Sequence, residues 1–519
     1  MPDAADPSRS AAGRNRGVLT LCVMAATLMQ SLDGTIANVA LPYMRGTFAT
    51  SQDEMNWVLT SYIVAAAIMT APTGWLAGRF GRTRIFLITV LGFTATSVMC
   101  GLAQTLTQIV VFRVLQGMAG AALVPLSQSV MFDIYPIERR GSAMALWGLG
   151  VMVGPILGPT LGGWLTQEYD WRWVFFINVP FGLLAAFGFA TFLPETERLG
   201  TRFDWTGFIM LSLGIGAFQM MLDRGSELDW FSAREIVIEA LLAVIGIYCF
   251  VVHFLLARHP FISPRLFGDR NFVVGITFVF IVGLILYATL ALLSPYLQVL
   301  MAYPVLTAGF VLVPRGLGTM VAMLVVGRLV NVLPVRILVA FGFLSTIYAL
   351  WLMMGFTPDS APRAFVTSGF IQGLSVGFVF VPLSTVTFNT LPSELRTQGT
   401  GIYNLMRNLG SSIGISVTSA LLVRNTQINH AEIVASAITP FNHALNFGGV
   451  ARFWNPLQPA GAALLDNEIT RQATTIAYVD DFKLMVVMSL IALPLLVLVR
   501  SPSHTKKADA EPSHSAVME

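Results

Sequence analysis

The sequence contains few charged residues. Asp, Glu, Lys and Arg make up 11% of its 519 residues, whereas hydrophobic residues make up 55%. A soluble globular protein carries about 25% charged residues and uses them to cover its surface. The composition therefore excludes an ordinary soluble protein and predicts a membrane protein with many spans.

Lysine and cysteine are scarce as well. None of the three lysines follows a glycine, whereas the ATP-binding Walker A loop requires the sequence Gly-Lys-Ser/Thr. The three cysteines lie far apart in apolar runs, without the spacing of a metal site or a disulfide framework. We therefore expect no metal, no cofactor and no ATP hydrolysis, so the energy for any work must come from another source.

Long apolar runs are abundant. A transmembrane helix needs about 20 apolar residues, and fourteen runs approach or exceed this length. The predicted fold is an all-α membrane protein with fourteen transmembrane helices. Their approximate limits are 17–41, 55–77, 84–103, 107–131, 141–164, 172–193, 205–222, 235–256, 271–293, 304–326, 335–355, 362–387, 398–423 and 482–499.

The distribution of positive charge predicts the orientation. With the N-terminus inside, nineteen Lys and Arg residues fall on the inner side and nine on the outer side. Because the inner loops of membrane proteins carry the excess of positive charge, both termini are predicted to be cytoplasmic. The long outer segment 424–481 is polar, and its second part looks helical. It is either a solvated connection or a docking surface for a partner, since long loops usually have a function.

An internal repeat divides the chain. The stretch "LQGMAGAALVPLSQSVMFDIYPIERRG" matches "IQGLSVGFVFVPLSTVTFNTLPSELRT" at an offset of 256 residues. Two related halves around a central site are a common plan of secondary transporters, and spans seven and eight are then an inserted pair. The predicted organisation is a cytoplasmic tail 1–16, a first half 17–193, an inserted pair 205–256, a second half 271–499 that contains the outer loop 424–481, and a cytoplasmic tail 500–519.

Two charged residues lie at a similar depth inside the predicted spans, Asp33 in span one and Arg113 in span four. The repeat places Thr289 and Gly369 at the equivalent positions of the second half, so the fold itself does not require the charges. A charge inside a span must face a cavity or a partner, and we expect the two to meet at a water-accessible cleft. They form either a proton site, in which a change of distance changes proton affinity, or a permanent structural ion pair.

Polar residues that share helix faces with these charges, or that share a face of span thirteen with Arg407, are candidates to line a substrate cavity. Arg407 either lines the cleft or donates to backbone carbonyls, and Arg315 is expected to satisfy carbonyls freed by the preceding proline. The cavity candidates are Gln30, Asn38, Gln116, Tyr403, Asn404 and Arg407.

Two glycine-rich stretches are candidates for gating. The stretch "GLGVMVGPILGPTLGG" in span five forms a ridge of small residues interrupted by prolines, which is either a flexible gate or a static packing seam. The stretch "GWLAGRFGRTR" joins spans two and three, where its arginines either bind helix ends or simply follow the positive-inside rule. The residues concerned are Gly74, Gly78, Arg79, Gly81, Arg82, Arg84, Gly150, Gly154, Pro155, Gly158, Pro159 and Gly162.

Together these motifs resemble the major facilitator superfamily, and within it the fourteen-span drug–proton antiporters of the EmrB/QacA type. "LDGTIANVALP" resembles the span-one signature, "RVLQGMAGA" the span-four motif whose arginine is tied to proton coupling, and "GVMVGPILGPTLGG" the antiporter motif of span five. "WRWVFFINVPFG" and "MLDRGSELDWFS" are most similar to the EmrB branch. One departure is Gly78, which stands where the family's loop motif has an acidic residue. The charge contact between the halves is then either missing or supplied by another residue.

The resemblance implies a proton-coupled multidrug or amphiphile exporter of an inner membrane, driven by the proton gradient. It also implies a periplasmic adaptor of the EmrA type and an outer-membrane channel of the TolC type, with no nucleic-acid partner. The alternatives are an exporter of one metabolite, fatty acid or siderophore, a proton-coupled importer of the same fold, and a membrane receptor that moves nothing. The span-five glycine–proline pattern argues against the importer.

Overall fold

The computed structural model describes residues 16–195, 198, 202–258, 260–330, 332–438, 442, 454 and 458–499. This part of the chain contains α-helices and short helical turns but no strand, which confirms the predicted all-α fold. The α-helices are α1 (Arg16–Phe48), α2 (Gln52–Thr70), α3 (Thr73–Phe80), α4 (Arg82–Leu102), α5 (Leu106–Gly120), α6 (Leu123–Ile134), α7 (Arg140–Glu168), α8 (Trp173–Phe176), α9 (Asn178–Phe192), α10 (Trp205–Arg224), α11 (Arg234–Leu256), α12 (Arg265–Gly268), α13 (Arg270–Pro295), α14 (Val305–Leu329), α15 (Val335–Met353), α16 (Pro362–Asn389), α17 (Ser393–Ala437) and α18 (Pro459–Leu495).

Twelve helical segments of the described chain are long and apolar enough to cross a membrane. The number is thirteen if α2 and α3, which meet at a 57° bend beside Pro72, are taken as one span. The run predicted at 398–423 lies within α17, which is helical but too polar to qualify by composition. The structure therefore supports twelve or thirteen apolar helices where the sequence predicts fourteen.

The two halves of the bundle repeat the same helix pairs. In the first half, α1 packs against α7, α2 against α5, and α9 against α1 and α4. In the second half, α13 packs against α17, α14 against α16, and α18 against α13 and α15. The repeat seen in the sequence thus corresponds to a repeat of packing, with α10 and α11 outside it.

The α10–α11 hairpin touches both halves. Glu227 accepts a hydrogen bond of 2.5 Å from Asn56 at the start of α2, and Arg224 lies over the ring of Trp57. On the other side, the Ser416 hydroxyl of α17 donates to the carbonyl of Leu222 at 2.7 Å. The hairpin therefore bridges α2 and α17.

The halves close against each other at one face of the bundle. We call it the basic face, because α1 begins there and the arginine-rich turn between α3 and α4 lies there; the other end is the opposite face. The hydrogen bonds between the halves near the basic face are Ser129–Thr397 (2.8 Å), Arg140–Asn389 (3.3 Å), Ser142–Gly327 (2.8 Å), Arg396–Asp133 (2.9 Å), Thr400–Pro125 (3.0 Å) and Asn404–Gln128 (3.0 Å). Beside α1 the bundle is open instead, since Asn38 is exposed and a Cβ on Gly34 would meet no atom within 4 Å.

Helix α3, which leads into the turn before α4, packs directly on the second half. A Cβ on Gly74 would overlap the backbone of Gln398, so glycine allows α3 to approach α17 this closely. Gly81 has φ +92°, a conformation that favours glycine. Asp133 accepts hydrogen bonds from Arg82 of its own half and from Arg396 of the other. Position 78 carries no acidic side chain, and the charged contact that the structure shows between the halves at this turn is made by Asp133 with Arg396.

The glycine ridge packs α7 against α1. A Cβ on Gly154 would lie 2.6 Å from the carbonyl carbon of Ser31, and a Cβ on Gly162 would lie 2.8 Å from Ile36. Pro155 has no N–H to offer the Val151 carbonyl, and the Ser31 hydroxyl donates to that carbonyl at 2.6 Å. In this state the ridge is a tight seam within the first half, and it lies against the helix that carries Asp33.

We predict that Gly154→Ala destabilises the protein by about 1–3 kcal/mol, because the new methyl group would overlap backbone atoms that cannot rotate away. Gly163→Ala is the matched control, since a Cβ there meets no atom within 4 Å. It should be neutral or stabilise α7 by up to about 1 kcal/mol. Thermal unfolding of the purified variants in detergent measures both effects. Equal unfolding midpoints for Gly154→Ala and Gly163→Ala would contradict the close packing of α7 against α1 at Gly154.

We also predict that Gly74→Val weakens closure of the basic face by forcing α3 away from Gln398. The bundle should then spend less time open at the opposite face. The labelling rate of a cysteine placed at Asn38, in a Cys249→Ser background, measures how often the opposite face is open. Overpacking of this kind costs about 1–3 kcal/mol. Labelling by a water-soluble maleimide should therefore be about tenfold slower in Gly74→Val. Gly17→Val is the control, since its surroundings are open. An unchanged labelling rate in Gly74→Val would show that this contact does not hold the face closed.

Candidate functional site

The structure brings Asp33 and Arg113 together. The Arg113 Nη1 atom lies 2.7 Å from Asp33 Oδ2, and both side chains are 0% exposed. Asp33 comes from the middle of α1 and Arg113 from α5, so the contact crosses the first half of the bundle. It is a fully desolvated ion pair.

Further polar groups complete the surroundings of Asp33. Its Oδ1 atom accepts hydrogen bonds from Gln116 (2.9 Å) and Asn178 (3.1 Å). Asn178 also donates to Ser97 at 2.9 Å, which fixes the orientation of its amide. Both oxygens of Asp33 therefore accept hydrogen bonds, as an ionised carboxylate does.

Arg113 is held just as firmly. Its Nε atom donates to the Val58 carbonyl at 3.0 Å, and its Nη1 atom also donates to Gln116 at 2.8 Å. The guanidinium lies 4.1 Å from the centre of the Tyr62 ring and 5.8 Å from that of Phe175, within the range of cation–π attraction. Its Nη2 atom is buried and has no partner among the described residues.

The expectation of a water-accessible cleft at this pair is wrong for this state. The faces of α1 and α5 do meet, but helices α2, α8 and α9 cover the contact, and neither charge reaches solvent. Sequence reasoning missed Asn178, Ser97 and Tyr62. Asn178 is part of the quoted "WRWVFFINVPFG", and the available signal was an amide that begins an otherwise apolar helix.

The second half has no charge at the equivalent place. Thr289 bonds to its own helix and lies 3.2 Å from the Met485 sulfur, which occupies the place that Asn178 has beside Asp33. Gln372, the repeat of Gln116, is buried, and its amide has no partner among the described residues. The ion pair therefore breaks the symmetry of the fold.

Gln30 and Asn38 lie on the free face of α1. Gln30 is half-buried and accepts a hydrogen bond of 3.1 Å from the Val124 N–H. This N–H belongs to the first turn of α6, where a helix has no internal partner for its donors. Asn38, two turns further along α1, is exposed. These two residues line the opening toward the opposite face, whereas Gln116 is buried beside Asp33.

The candidates on α17 are placed differently. Tyr403 is buried against Phe388, with ring centres 5.2 Å apart, and Asn404 belongs to the contacts that close the bundle. Arg407 lies one turn further toward the opposite face, is half-buried, and has an Nε atom without a partner among the described residues. Of these three residues, only Arg407 is partly exposed.

Arg315 does not bond to its own helix as expected. Its Nη2 atom donates to the carbonyl of Leu286 on α13 at 2.9 Å, so it joins two helices instead of satisfying a carbonyl freed by Pro314. Its Nη1 atom has no partner among the described residues. Arg315 is half-buried between helices of the second half.

The remaining gating candidates lie at the basic face and along the α1–α7 seam. Arg82 is buried at the contact with Asp133, whereas Arg79 and Arg84 are exposed. Gly150 lies more loosely against α1 than the later glycines, with Met24 3.6 Å from its Cβ position. The side chain of Pro159 lies outside the described residues.

Comparison with known proteins places the chain in a family. The sequence profile described as "Major Facilitator Superfamily" matches residues 23–415. The multidrug export protein EmrB of Escherichia coli K12 is 35% identical over 93% of this chain and 95% of its own. The fatty acid resistance protein FarB of Neisseria gonorrhoeae is 34% identical over 94% of this chain and 96% of its own.

The fold is shared with solved transporters. The structure of the proton:xylose symporter XylE bound to 6-bromo-6-deoxy-D-glucose superposes with a TM-score of 0.59 at 14% identity, over 93% of this chain and 99% of that one. An identity this low shows the fold alone. From the profile match, the relatives and the apolar helices, the chain belongs to the Major Facilitator Superfamily and is a multidrug efflux transporter of the EmrB type, a multi-pass inner-membrane protein and not an enzyme.

Proposed function

We propose that this transporter is a drug–proton antiporter in which Asp33 carries the proton. The observation that carries the proposal is the buried ion pair of Asp33 and Arg113, which occurs in one half of a repeated fold and has no counterpart in the other. A structural need common to both halves would have left a counterpart. No cofactor is required, because the proton gradient supplies the energy.

In the proposed topology the chain has fourteen spans, with α17 as the polar one, and both termini are cytoplasmic. The basic face is then the cytoplasmic face, in keeping with the positive-inside rule. The described state, closed at the basic face, is accordingly outward-open, with Asn38 at the mouth of the cleft.

The proposed cycle turns on the contacts of Asp33. In the outward-open state three N–H donors surround the ionised carboxylate. Binding of a proton from outside removes the attraction to Arg113, and the neutral side chain allows α1 and its neighbours to rearrange as the cleft closes. When the cleft opens to the cytoplasm the proton leaves, Arg113 binds Asp33 again, and a new substrate enters.

The membrane potential can drive this exchange. Each charge moved through 100 mV contributes about 2.3 kcal/mol. Exchange of one proton for one neutral molecule uses that amount, and exchange for one monovalent anion uses about twice as much. Exchange for one monovalent cation moves no net charge and relies on the pH difference alone.

We propose anionic amphiphiles as a principal substrate class. Arg407 and Arg315 have no carboxylate partner among the described residues, whereas Arg113 is neutralised by Asp33. The central region therefore carries uncompensated positive charge, which favours an anion. A relative of similar identity bears the name fatty acid resistance protein, which is consistent with this class.

We further propose that the opposite face docks an adaptor of the EmrA type, which leads to an outer-membrane channel of the TolC type. The predicted outer loop 424–481 is largely helical, since α17 continues to Ala437 and α18 begins at Pro459. At 1.5 Å per residue these helices are about 68 and 56 Å long, against a hydrocarbon core of about 30 Å. His430 and Asp466 join them at 2.9 Å, so a braced pair of helices extends from the opposite face.

We predict that Asp33→Asn abolishes proton-coupled export while the protein stays folded, because Asn fits the space but cannot exchange a proton. In everted membrane vesicles, addition of taurocholate should dissipate the pH gradient with the wild-type protein and not with the variant. Asp170→Asn, which removes an exposed carboxylate paired with Arg172, is the control and should behave as wild type. Export by Asp33→Asn at the wild-type rate would contradict proton coupling at Asp33, and the pair would then be a permanent structural ion pair.

We predict that Arg407→Ala lowers taurocholate transport about tenfold, as expected for loss of roughly 1.4 kcal/mol of a charge-assisted contact. Transport of ethidium, a cation, should be unchanged or faster. Arg407→Lys should retain much of the taurocholate activity, since it keeps the charge. Equal losses for both substrates in Arg407→Ala would assign Arg407 to helix packing and remove this support for anionic substrates.

A further inference from the structure

A second buried carboxylate lies in the other half of the molecule. Asp481 on α18 is 1% exposed, and neither of its oxygens has a hydrogen-bond partner among the described residues. It differs in this from Asp33, both of whose oxygens are bonded. A carboxylate without donors in apolar surroundings is very costly in its ionised form.

The surroundings of Asp481 are apolar or neutral. The apolar cluster around α18 includes the adjacent Phe482 and Met485, one turn away. Outside α18 its ionisable members are Tyr296 and Tyr303, which follow α13. The others include Leu350 and Met353 of α15, Phe365 of α16 and Leu422 of α17.

The other ionisable groups on α18 do not pair with Asp481. Lys483 is exposed and lies 3.5 Å from Asp480, which is itself partly exposed. Arg471, more than two turns away, is engaged with Asp359 and Glu468. Tyr478, on the same side of the helix, is buried and neutral, as is Tyr296, whose hydroxyl has no partner among the described residues. No described cation therefore compensates a charge on Asp481.

The position of Asp481 relates it to the coupling site. Met485 touches Thr289, which is the repeat of Asp33. Its position beside Thr289 in the second half therefore corresponds to the position of Asn178 beside Asp33 in the first half. Asp481 lies four residues before Met485, about 6 Å nearer the opposite face. Each half thus carries one buried carboxylate near the same level, bonded in the first half and unbonded in the second.

We propose that Asp481 is a second proton-binding site and that it holds a proton in the described state. A neutral carboxylic acid is much less costly in this cluster than an ionised one, because no described cation compensates the charge. Its role in transport rests on the proposed proton coupling and would add a second exchangeable proton to the cycle. Proton binding itself does not depend on that role.

Infrared spectroscopy of the purified full-length transporter in detergent tests the proposal. At pH 7 the wild-type spectrum should contain the stretching band of a protonated carboxyl group, and the band should disappear in Asp481→Asn. Asp480→Asn is the matched control and should keep the band, since that carboxylate is paired with Lys483 and partly exposed. In Asp481→Glu the band should return at a shifted frequency. Its return would exclude misfolding as the cause of its loss in Asp481→Asn.

The possible results separate the two proposals. A band that is the same in wild type and Asp481→Asn would overturn the assignment of a proton to Asp481, whatever the transport data show. Asp33→Asn should leave the Asp481 band in place, so failure of Asp33 as the coupling residue would not imitate failure of Asp481. Loss of the band in both Asp481→Asn and Asp480→Asn would also overturn the proposal, because it would assign the signal to a disturbance of α18.

Discussion

The cost of placing two opposite charges in a dry protein interior governs the first half of this transporter. Removing an ion pair from water costs several kcal/mol per ion, and their attraction offsets this only when the remaining donors and acceptors are also satisfied. Asp33 meets that condition through Arg113, Gln116 and Asn178, whereas Arg113 meets it only in part, since its Nε and Nη1 atoms are bonded and its Nη2 atom has no partner among the described residues. Four helices, α1, α2, α5 and α9, must therefore keep their relative positions for the pair to persist, and any movement that displaces one of them changes the energy of the charge on Asp33.

The helix that carries this charge is fitted to its neighbour through small residues. The seam between α1 and α7 places glycines against backbone, and the Ser31 hydroxyl bonds to the carbonyl that Pro155 leaves free. Such a seam holds α1 at one depth and one rotation, because few side chains lie between the two helices to absorb a shift. The same closeness means that a rearrangement of α7 reaches Asp33 directly, without passing through flexible groups.

Much of the fold could be predicted from the sequence, because hydropathy indicates which segments cross the membrane and the internal repeat indicates two related halves. The positions of twelve or thirteen apolar helices, the repeat of the two halves and the shared depth of Asp33 and Arg113 followed from counting residues along apolar runs, whereas the span at 398–423 lies in a helix too polar to qualify. The partners Asn178, Ser97 and Tyr62 could not be predicted in this way, since each is an ordinary polar residue in its own helix and acquires its role only by packing. Asp481 was missed for a related reason, because "YVDDF" reads as the edge of a polar loop until α18 is seen to bury one of its two acids. The ion pair of Asp133 with Arg396 joins the two halves, and no local sequence pattern reveals a contact of that kind.

The α10–α11 hairpin makes the bundle laterally asymmetric. It is attached to α2 by Glu227 and to α17 through Leu222, so it spans one of the two seams at which the halves could part toward lipid. The equivalent seam, between α7 and α14, has no such strap among the described residues. A molecule that approached the cleft sideways from the bilayer would therefore meet the hairpin on one flank and bare helices on the other, so the two flanks of this nominally two-fold bundle are not equivalent to the surrounding lipid.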